Sequence, residues 1–318
     1  MLTMPLGVYR FDTDGGCITR LALGLHEYGG LTWDRECIYL SHSNIDNASL
    51  KNEQDYRKAN VGIIRAHCNK GVKVVATGIC QPHQILADSR GRLLVANTGL
   101  NRIDVIDLAN GNIKSIYLNG VTCDMSGDEK IGDHFNGFFE YGETLFVVAH
   151  NNDRKSKVWE LNAESFEVQQ IHDTEAEWAH NCWVCEHGLV ICDSKNGSLY
   201  EVHTGETLWK ADIPIITRGL AATDDYIFVG SSEFGNRHSR KYSEGGVWVV
   251  DRKTLQTVDR FIFPGTGCTV EVRLLDEYDH CHQGPVMSPG FSDIIKESYL
   301  SKIVEDKYKA LRYRWLRC

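Results

Sequence analysis

Three stretches decide how this 318-residue chain folds: PHQILADSRGRLLVAN (82–97), DHFNGFFEYGETLFVVAH (133–150) and AHNCWVCEHGLVICD (179–193). Each begins polar, runs through an apolar stretch to a tight turn and enters a second apolar run. Short apolar runs bounded by turn residues read as paired β-strands. In each, a histidine stands eight residues before a glycine: His83 and Gly91, His134 and Gly142, His180 and Gly188. Two weaker copies carry Tyr28 in EYGGLTWDRECIYLSHS (27–43) and Arg218 in TRGLAATDDYIFVGSS (217–232) at the histidine position.

Each copy continues into a polar loop and a second hairpin with Asp, Asn or Gly at its tip, as in RIDVIDLANGNIKSIYL (102–118) and SLYEVHTGETLWKAD (198–212). The unit is therefore four short strands, and successive starts at 28, 83, 134, 180 and 218 lie 38 to 55 residues apart. Four-stranded units of about 40 to 50 residues mark a β-propeller. A sixth unit comes from the leftovers: GVYRFDTDGGCITRLAL (7–23) has the form of an outer hairpin, and GCTVEVRLLDEYD (267–279) that of an inner strand. The sequence thus predicts an all-β, six-bladed propeller over residues 1–285, closed by strands from both termini so that no sheet edge stays open. Five or seven blades are the alternatives. In the remaining 286–318, Ile295, Tyr299, Ile303 and Leu311 fall near helical spacing. They predict a C-terminal helix packed on the propeller, with a homodimer through that helix as the alternative use.

Hydrophobic content of 42% and charged content of 24% are those of a globular protein. A net charge of -9 argues against nucleic acid as a partner. No run approaches the roughly 18 apolar residues of a membrane span, and the N-terminus lacks the features of a secretory signal. A cytoplasmic location is expected. The 11 cysteines, odd in number and scattered, suggest no disulfide framework. Cys182 and Cys185 form a CxxC inside a strand-like run and read as core thiols.

Together PHQILADSRGRLLVANTG, HFNGFFEYG, WAHNCWVCEHGLVICDSKNGSLYEV, RGLAATDDYIFVGSSE and GGVWVVDRKT resemble an uncharacterised β-propeller family, a domain of unknown function, over roughly residues 80–275. Single blades are also similar to NHL repeats and to streptogramin-lyase-type propellers. The resemblance implies the fold and leaves the chemistry to the residues themselves.

In a propeller the first strand of each blade lines the central channel, so residues starting these strands face one another. The first ring read this way is Tyr28, His83, His134, His180, Arg218 and Glu271. A second polar ring follows the second strands: His42, Asn97, His150, Asp193 and Ser231, with Glu233 and Arg237 just beyond. Three imidazoles with a carboxylate suit a divalent transition metal such as Fe, Zn or Mn. His83, His134 and His180 are the expected ligands, and Glu271 a fourth ligand or base. Arg218 is the expected anion clamp. His150 and Asp193 are further catalytic candidates, and His42, Asn97, Asn136 and Glu233 substrate-binding ones. The function expected is a metal-dependent lyase, hydrolase or oxygenase acting on a small polar or anionic metabolite. The alternative is a non-catalytic propeller binding a ligand or protein at the channel mouth, where an apolar or aromatic patch would then be exposed. His280 and His282 in DHCHQG form a second candidate cluster in a turn. His67, His172, His187 and His203 read as surface residues.

Overall fold

A computed structural model describes residues 1–4, 7–14, 16–23, 27–43, 52, 54–55, 62–235 and 242–296. They form six four-stranded antiparallel sheets arranged as the blades of a β-propeller. Blade 1 is shared by the termini: Glu271–Val272 is innermost, followed outward by Leu2–Met4, Gly7–Asp12 and Cys17–Leu23. The N-terminal segment therefore supplies three strands, one more than the expected hairpin. Blade 2 comprises Glu27–Trp33, Cys37–Ser43, Gly62–Cys68 and Gly71–Ile79. Blade 3 comprises Pro82–Ala87, Arg92–Asn97, Arg102–Asp107 and Ile113–Ile116. Blade 4 runs from Phe135–Tyr141 through Thr144–Ala149 and Lys155–Asn162 to Val168–Glu177. Blade 5 holds His180–Cys185, Gly188–Asp193, Ser198–Glu201 and Thr207–Lys210. Blade 6 holds Ile216–Ala222, Tyr226–Ser232, Gly245–Asp251 and Thr257–Phe263.

Second strands are buried along nearly their whole length because both faces meet neighbouring blades, which is why RLLVAN and TLFVVA read as continuous apolar runs. Outer strands such as IKSI and TVDRFIF are largely exposed and carry charge. The core fills the spaces between blades. One cluster runs from Phe139 and Val148 of blade 4 through Trp183 and Ile191 of blade 5 to Leu220 and Trp248 of blade 6. Hairpin tips between third and fourth strands are closed by acceptor side chains. Asp107 receives the N–H groups of Ala109 and Asn110, and Asn162 those of Glu164 and Ser165.

The register of the first strands decides what faces the channel. In blades 2 to 6 each carries a β-bulge near its start, between Tyr28 and Leu31, Pro82 and Ile85, Phe135 and Gly137, His180 and Cys182, and Thr217 and Leu220. A bulge re-aims the side chains beside it. Here it leaves His83, His180 and Arg218 at the channel mouth while the next residues, Gln84, Asn181 and Gly219, fall deeper. Gly219 has φ of +89° and a Cβ there would meet the Val272 side chain at 2.8 Å, so glycine is required.

Two sequence expectations change here. Cys37 and Cys68, register partners on adjacent strands of blade 2, form a disulfide, where no disulfide was expected. Strand pairing brings together two cysteines that lie 31 residues apart in sequence. Cys182 and Cys185 are free, and burial pushes the Cys185 thiol up to about 11, as suits core thiols. In the tail, Pro289–Ser292 is a 3-10 turn and residues 293–296 begin a helix. Ile294 and Ile295 pack with Met1, Trp33 and Leu275. Tyr299, Ile303, Leu311 and any dimer contact lie outside the described residues. Among the described residues no helix is long and apolar enough to cross a membrane.

Candidate functional site

A cavity of about 350 Å³ opens at the channel mouth, and Tyr28, His83, His134, His180, Arg218 and Val270 line it from the six blades around the axis. His150 joins them. The rings of His83 and His134 lie 5.1 Å apart, those of His134 and His150 4.8 Å, and those of His150 and His180 5.3 Å. His83 and His180 are 6.4 Å apart. Four imidazoles thus share one cavity. Among the described residues no three His, Cys, Asp or Glu side chains stand close enough to hold an ion.

His83 and His180 are held by matching devices. His83 Nδ1 faces the Gln81 carbonyl at 3.0 Å and the Thr98 hydroxyl at 2.9 Å, and Thr98 gives its own proton to the Phe135 carbonyl of the next blade. His180 Nδ1 faces the Trp178 carbonyl and the Ser194 hydroxyl, both at 2.8 Å, and Ser194 donates to the Thr217 carbonyl. Only a proton on Nδ1 satisfies these acceptors, so Nε2 carries the lone pair in both rings. Gln81 and Trp178 reach their carbonyls inward from left-handed backbone, with φ of 49° and 59°. Strain of this kind persists where surrounding bonds enforce it. Here the enforcing groups are Asn97, which accepts the Cys80 N–H, and Asp193, which accepts the Glu177 N–H.

His134 arrives by another route. By strand register Phe135, opposite Ala149, is the counterpart of His180, opposite Cys192. His134 therefore sits one residue early, and its φ of 54° turns it into the cavity. The matching histidine-to-glycine spacing arises because blade 4 has a differently placed turn: Tyr141 pairs Thr144 around Gly142, whereas Gly188 itself pairs Cys185. Its Nδ1 meets Asp124 Oδ2 at 2.8 Å, while Asn152 donates to Asp124 Oδ1. Burial works to raise the Asp124 carboxyl, but His134 and Asn152 outweigh it and hold it below the usual range.

Asp124 belongs to an insert between blades 3 and 4 that builds a small hairpin, Met125–Ser126 with Glu129–Lys130, beside the cavity. Asp124, Met125 and Lys130 all line the cavity. Asn101 fastens the insert by donating to the Val121 carbonyl and accepting the Asp133 N–H. None of these residues was singled out from sequence. The signal was the run 119–133, too long for a plain connection between the predicted hairpin ending at Leu118 and the strand near His134.

Much of the predicted second ring faces elsewhere. Asn97 binds Cys80 N–H and Asp104, Asp193 binds Glu177 N–H and Asn196, and the His42 ring packs at a tilt against Tyr28, 4.4 Å away. Side chains alternate along a strand, so the next residues, Ser43, Ser194 and Ser232, line the cavity in place of His42, Asp193 and Ser231. Asn136 donates to the Ala179 carbonyl away from the cavity. Glu271 also lies deeper, with Oε1 at 3.4 Å from His282 Nε2 and within reach of the Asn181 amide, so it does not reach the three histidines. Arg218 and Glu233 do line the cavity, and Arg237 lies outside the described residues. His280 and His282 diverge: His280 meets Asp224 near the surface and His282 is buried between Asp279 and Glu271. His67 and His172 are buried, at 5% and 8% exposed, because both project inward from strands.

Burial, then the nearby His134, His83 and Arg218, holds His150 well below the usual imidazole range. Burial, then Arg218, does the same to His180. Burial and Arg65 lower His67 to about 4. Their stability contribution has a definite sign. The unfolded chain protonates these histidines near pH 6.5 while the fold keeps them neutral, so stability is complete above that pH and falls as pH drops. Each contributes a loss of at most about 2 kcal/mol between pH 6.5 and 5. Urea midpoints should fall steeply over that interval, whereas a flat profile from pH 7 to 5 would contradict these environments.

No protein-family model matches the chain and no curated protein does. Among solved structures, the fold is similar to a chain in the crystal structure of a nidogen/laminin complex, with a TM-score of 0.60 at 10% identity over 85% of this chain and 95% of that one. It is also similar to a candidate gluconolactonase, with a TM-score of 0.56 at 14% identity over 83% and 89% of the two chains. Both likenesses concern the fold, and this chain is a six-bladed β-propeller.

Proposed function

We propose that the chain is a metal-dependent enzyme acting on a small polar or anionic metabolite, with His83, His134 and His180 as the ligands. One observation carries this reading: each of the three Nδ1 atoms is tied to a fixed acceptor, the Gln81 carbonyl, the Asp124 carboxylate or the Trp178 carbonyl. This outer support is what metal-binding histidines require, since it leaves Nε2 basic and oriented. Imidazole binds such ions at roughly 2.0–2.1 Å, so the His83 and His180 rings would draw together on the ion. A divalent metal such as Fe, Zn or Mn would supply a Lewis acid and an activated water. Arg218 would hold a substrate anion through its planar fork, with Glu233 at the rim. Glu271 is given no part.

Among lyase, hydrolase and oxygenase chemistry, the structural likeness to a candidate gluconolactonase favours hydrolysis. The blades' similarity to streptogramin-lyase-type and NHL repeats is compatible with it. One observation favours the non-catalytic alternative. Phe234 and Tyr242, 43% and 72% exposed beyond Glu233, offer apolar surface to a partner at the mouth.

Elemental analysis of protein purified without a histidine tag tests the first reading. About one transition metal per chain is expected, lost in His83→Ala, His134→Ala and His180→Ala variants. Added metal at about 100 times its Kd should stabilise the metal-free protein by about 2.7 kcal/mol. Metal-free protein that gains no stability from zinc, iron or manganese would sink the reading.

A further inference from the structure

The fourth imidazole differs from the other three in which nitrogen holds its proton. The backbone N–H of Asn152 donates to His150 Nδ1 at 3.1 Å. A proton on that nitrogen would face another donor, so His150 carries its proton on Nε2. Its surroundings keep it that way. Asn151 and Asn152 occupy successive left-handed positions, φ of 62° and 57°, which turn the chain back over the ring. Asparagine tolerates that conformation better than most residues. The Trp178 ring lies almost parallel to His150, 6.3 Å away with an interplanar angle of 7°. The backbone is held too, as His150 N–H donates to the His134 carbonyl and Ser156 donates to the His150 carbonyl.

We propose that His150 is the hydrogen-bond donor of the site, directed at a substrate oxygen, while His83, His134 and His180 present lone pairs. This role rests on the active-site reading of the cavity and adds a substrate class to it. The substrate is an oxygen ester, lactone or hydroxy acid with an anionic group for Arg218 and an acceptor oxygen for His150. In ester or lactone cleavage the neutral ring keeps its proton and the Nε2–H hydrogen-bonds the oxygen on which charge gathers; water adds to the carbonyl, and the proton it loses passes to the departing alkoxide as the C–O bond breaks. To ligate a metal, His150 would have to move its proton onto Nδ1, against the Asn152 N–H.

Nitrogen-15 NMR of histidine-labelled protein tests this directly, with resonances assigned through single His→Gln variants. Before zinc is added, His150 should show a protonated Nε2 and a lone pair on Nδ1, the reverse of the other three. Zn²⁺ should move the Nε2 signals of His83, His134 and His180 and leave the His150 Nε2 proton in place. His150→Gln should keep full zinc stoichiometry, and His180→Gln should lose at least 10-fold in zinc affinity. A His150 found with its proton on Nδ1, or losing its Nε2 proton to zinc, would overturn the donor role. If zinc moved no histidine, the metal reading would fall, and the tautomer of the zinc-free protein would still decide the donor role.

Discussion

Replacing Asp279 with alanine is expected to cost the fold about 3–5 kcal/mol, the usual price of leaving a buried charge without its partner. Asp279 is 3% exposed and ties the segment after Glu271–Val272 to blade 6 through Ala222. Its Oδ1 accepts the N–H groups of Ala222 and Cys281, and its Oδ2 accepts that of Leu274 and meets His282 Nδ1 at 2.9 Å. Arg273, 1% exposed, lies 3.8 Å from the same carboxylate and 4.3 Å above the Trp33 ring. Removing the carboxylate leaves the Arg273 charge buried and three backbone donors unpaired. Because Glu271–Val272 pairs with Leu2–Met4, loosening this segment also loosens the ring closure. Thermal denaturation should show a fall of roughly 10 °C, whereas the exposed Asp276→Ala should stay within about 0.5 kcal/mol. An Asp279→Ala protein as stable as its parent would show that Asp279 does not neutralise the buried Arg273.

Asp124→Asn should weaken metal binding by about 10–100-fold while changing overall stability far less. The carboxylate accepts at both ends, from His134 Nδ1 at Oδ2 and from Asn152 Nδ2 at Oδ1. An asparagine has one acceptor. Turned toward His134, its amide meets the Asn152 donor, which is itself held by the Gly132 carbonyl. Turned the other way, it drives the His134 proton onto Nε2 and removes a ligand lone pair. Zinc titration of the variant beside Asp124→Glu checks this. Equal zinc affinity in Asp124→Asn and the parent would show that Asp124 does not orient His134.

The propeller was legible because its units repeat a four-strand pattern whose apolar runs and turn residues can be read one at a time. The closing of blade 1 by both termini was legible for the same reason. The mouth residues His83, His180 and Arg218 followed from the repeat, and His134 followed despite a one-residue offset that its left-handed backbone corrects. At three positions the second ring lies one residue beyond the one that spacing predicts. Sequence spacing counts positions, whereas strand parity decides which side chain turns inward, so Ser194 and not Asp193 faces the cavity. Glu271 starts the innermost strand of blade 1, which has no such bulge, and its carboxylate lies beside Asn181 and His282 below the mouth, a difference in depth that spacing does not reveal. Asp124 escaped notice because it lies in an insert with no repeat counterpart. The tautomer contrast between His150 and its neighbours depends on backbone groups, Gln81 O, Trp178 O and Asn152 N, which residue identity does not reveal.

X-ray absorption at the zinc edge on the zinc-loaded protein tests the central claim most directly. Three imidazole nitrogens at roughly 2.0–2.1 Å and a water oxygen are expected. Each single substitution of His83, His134 or His180 should remove one imidazole from that shell, and His150→Gln should remove none. A shell of oxygens alone, or one unchanged in those three variants, would contradict a three-histidine site.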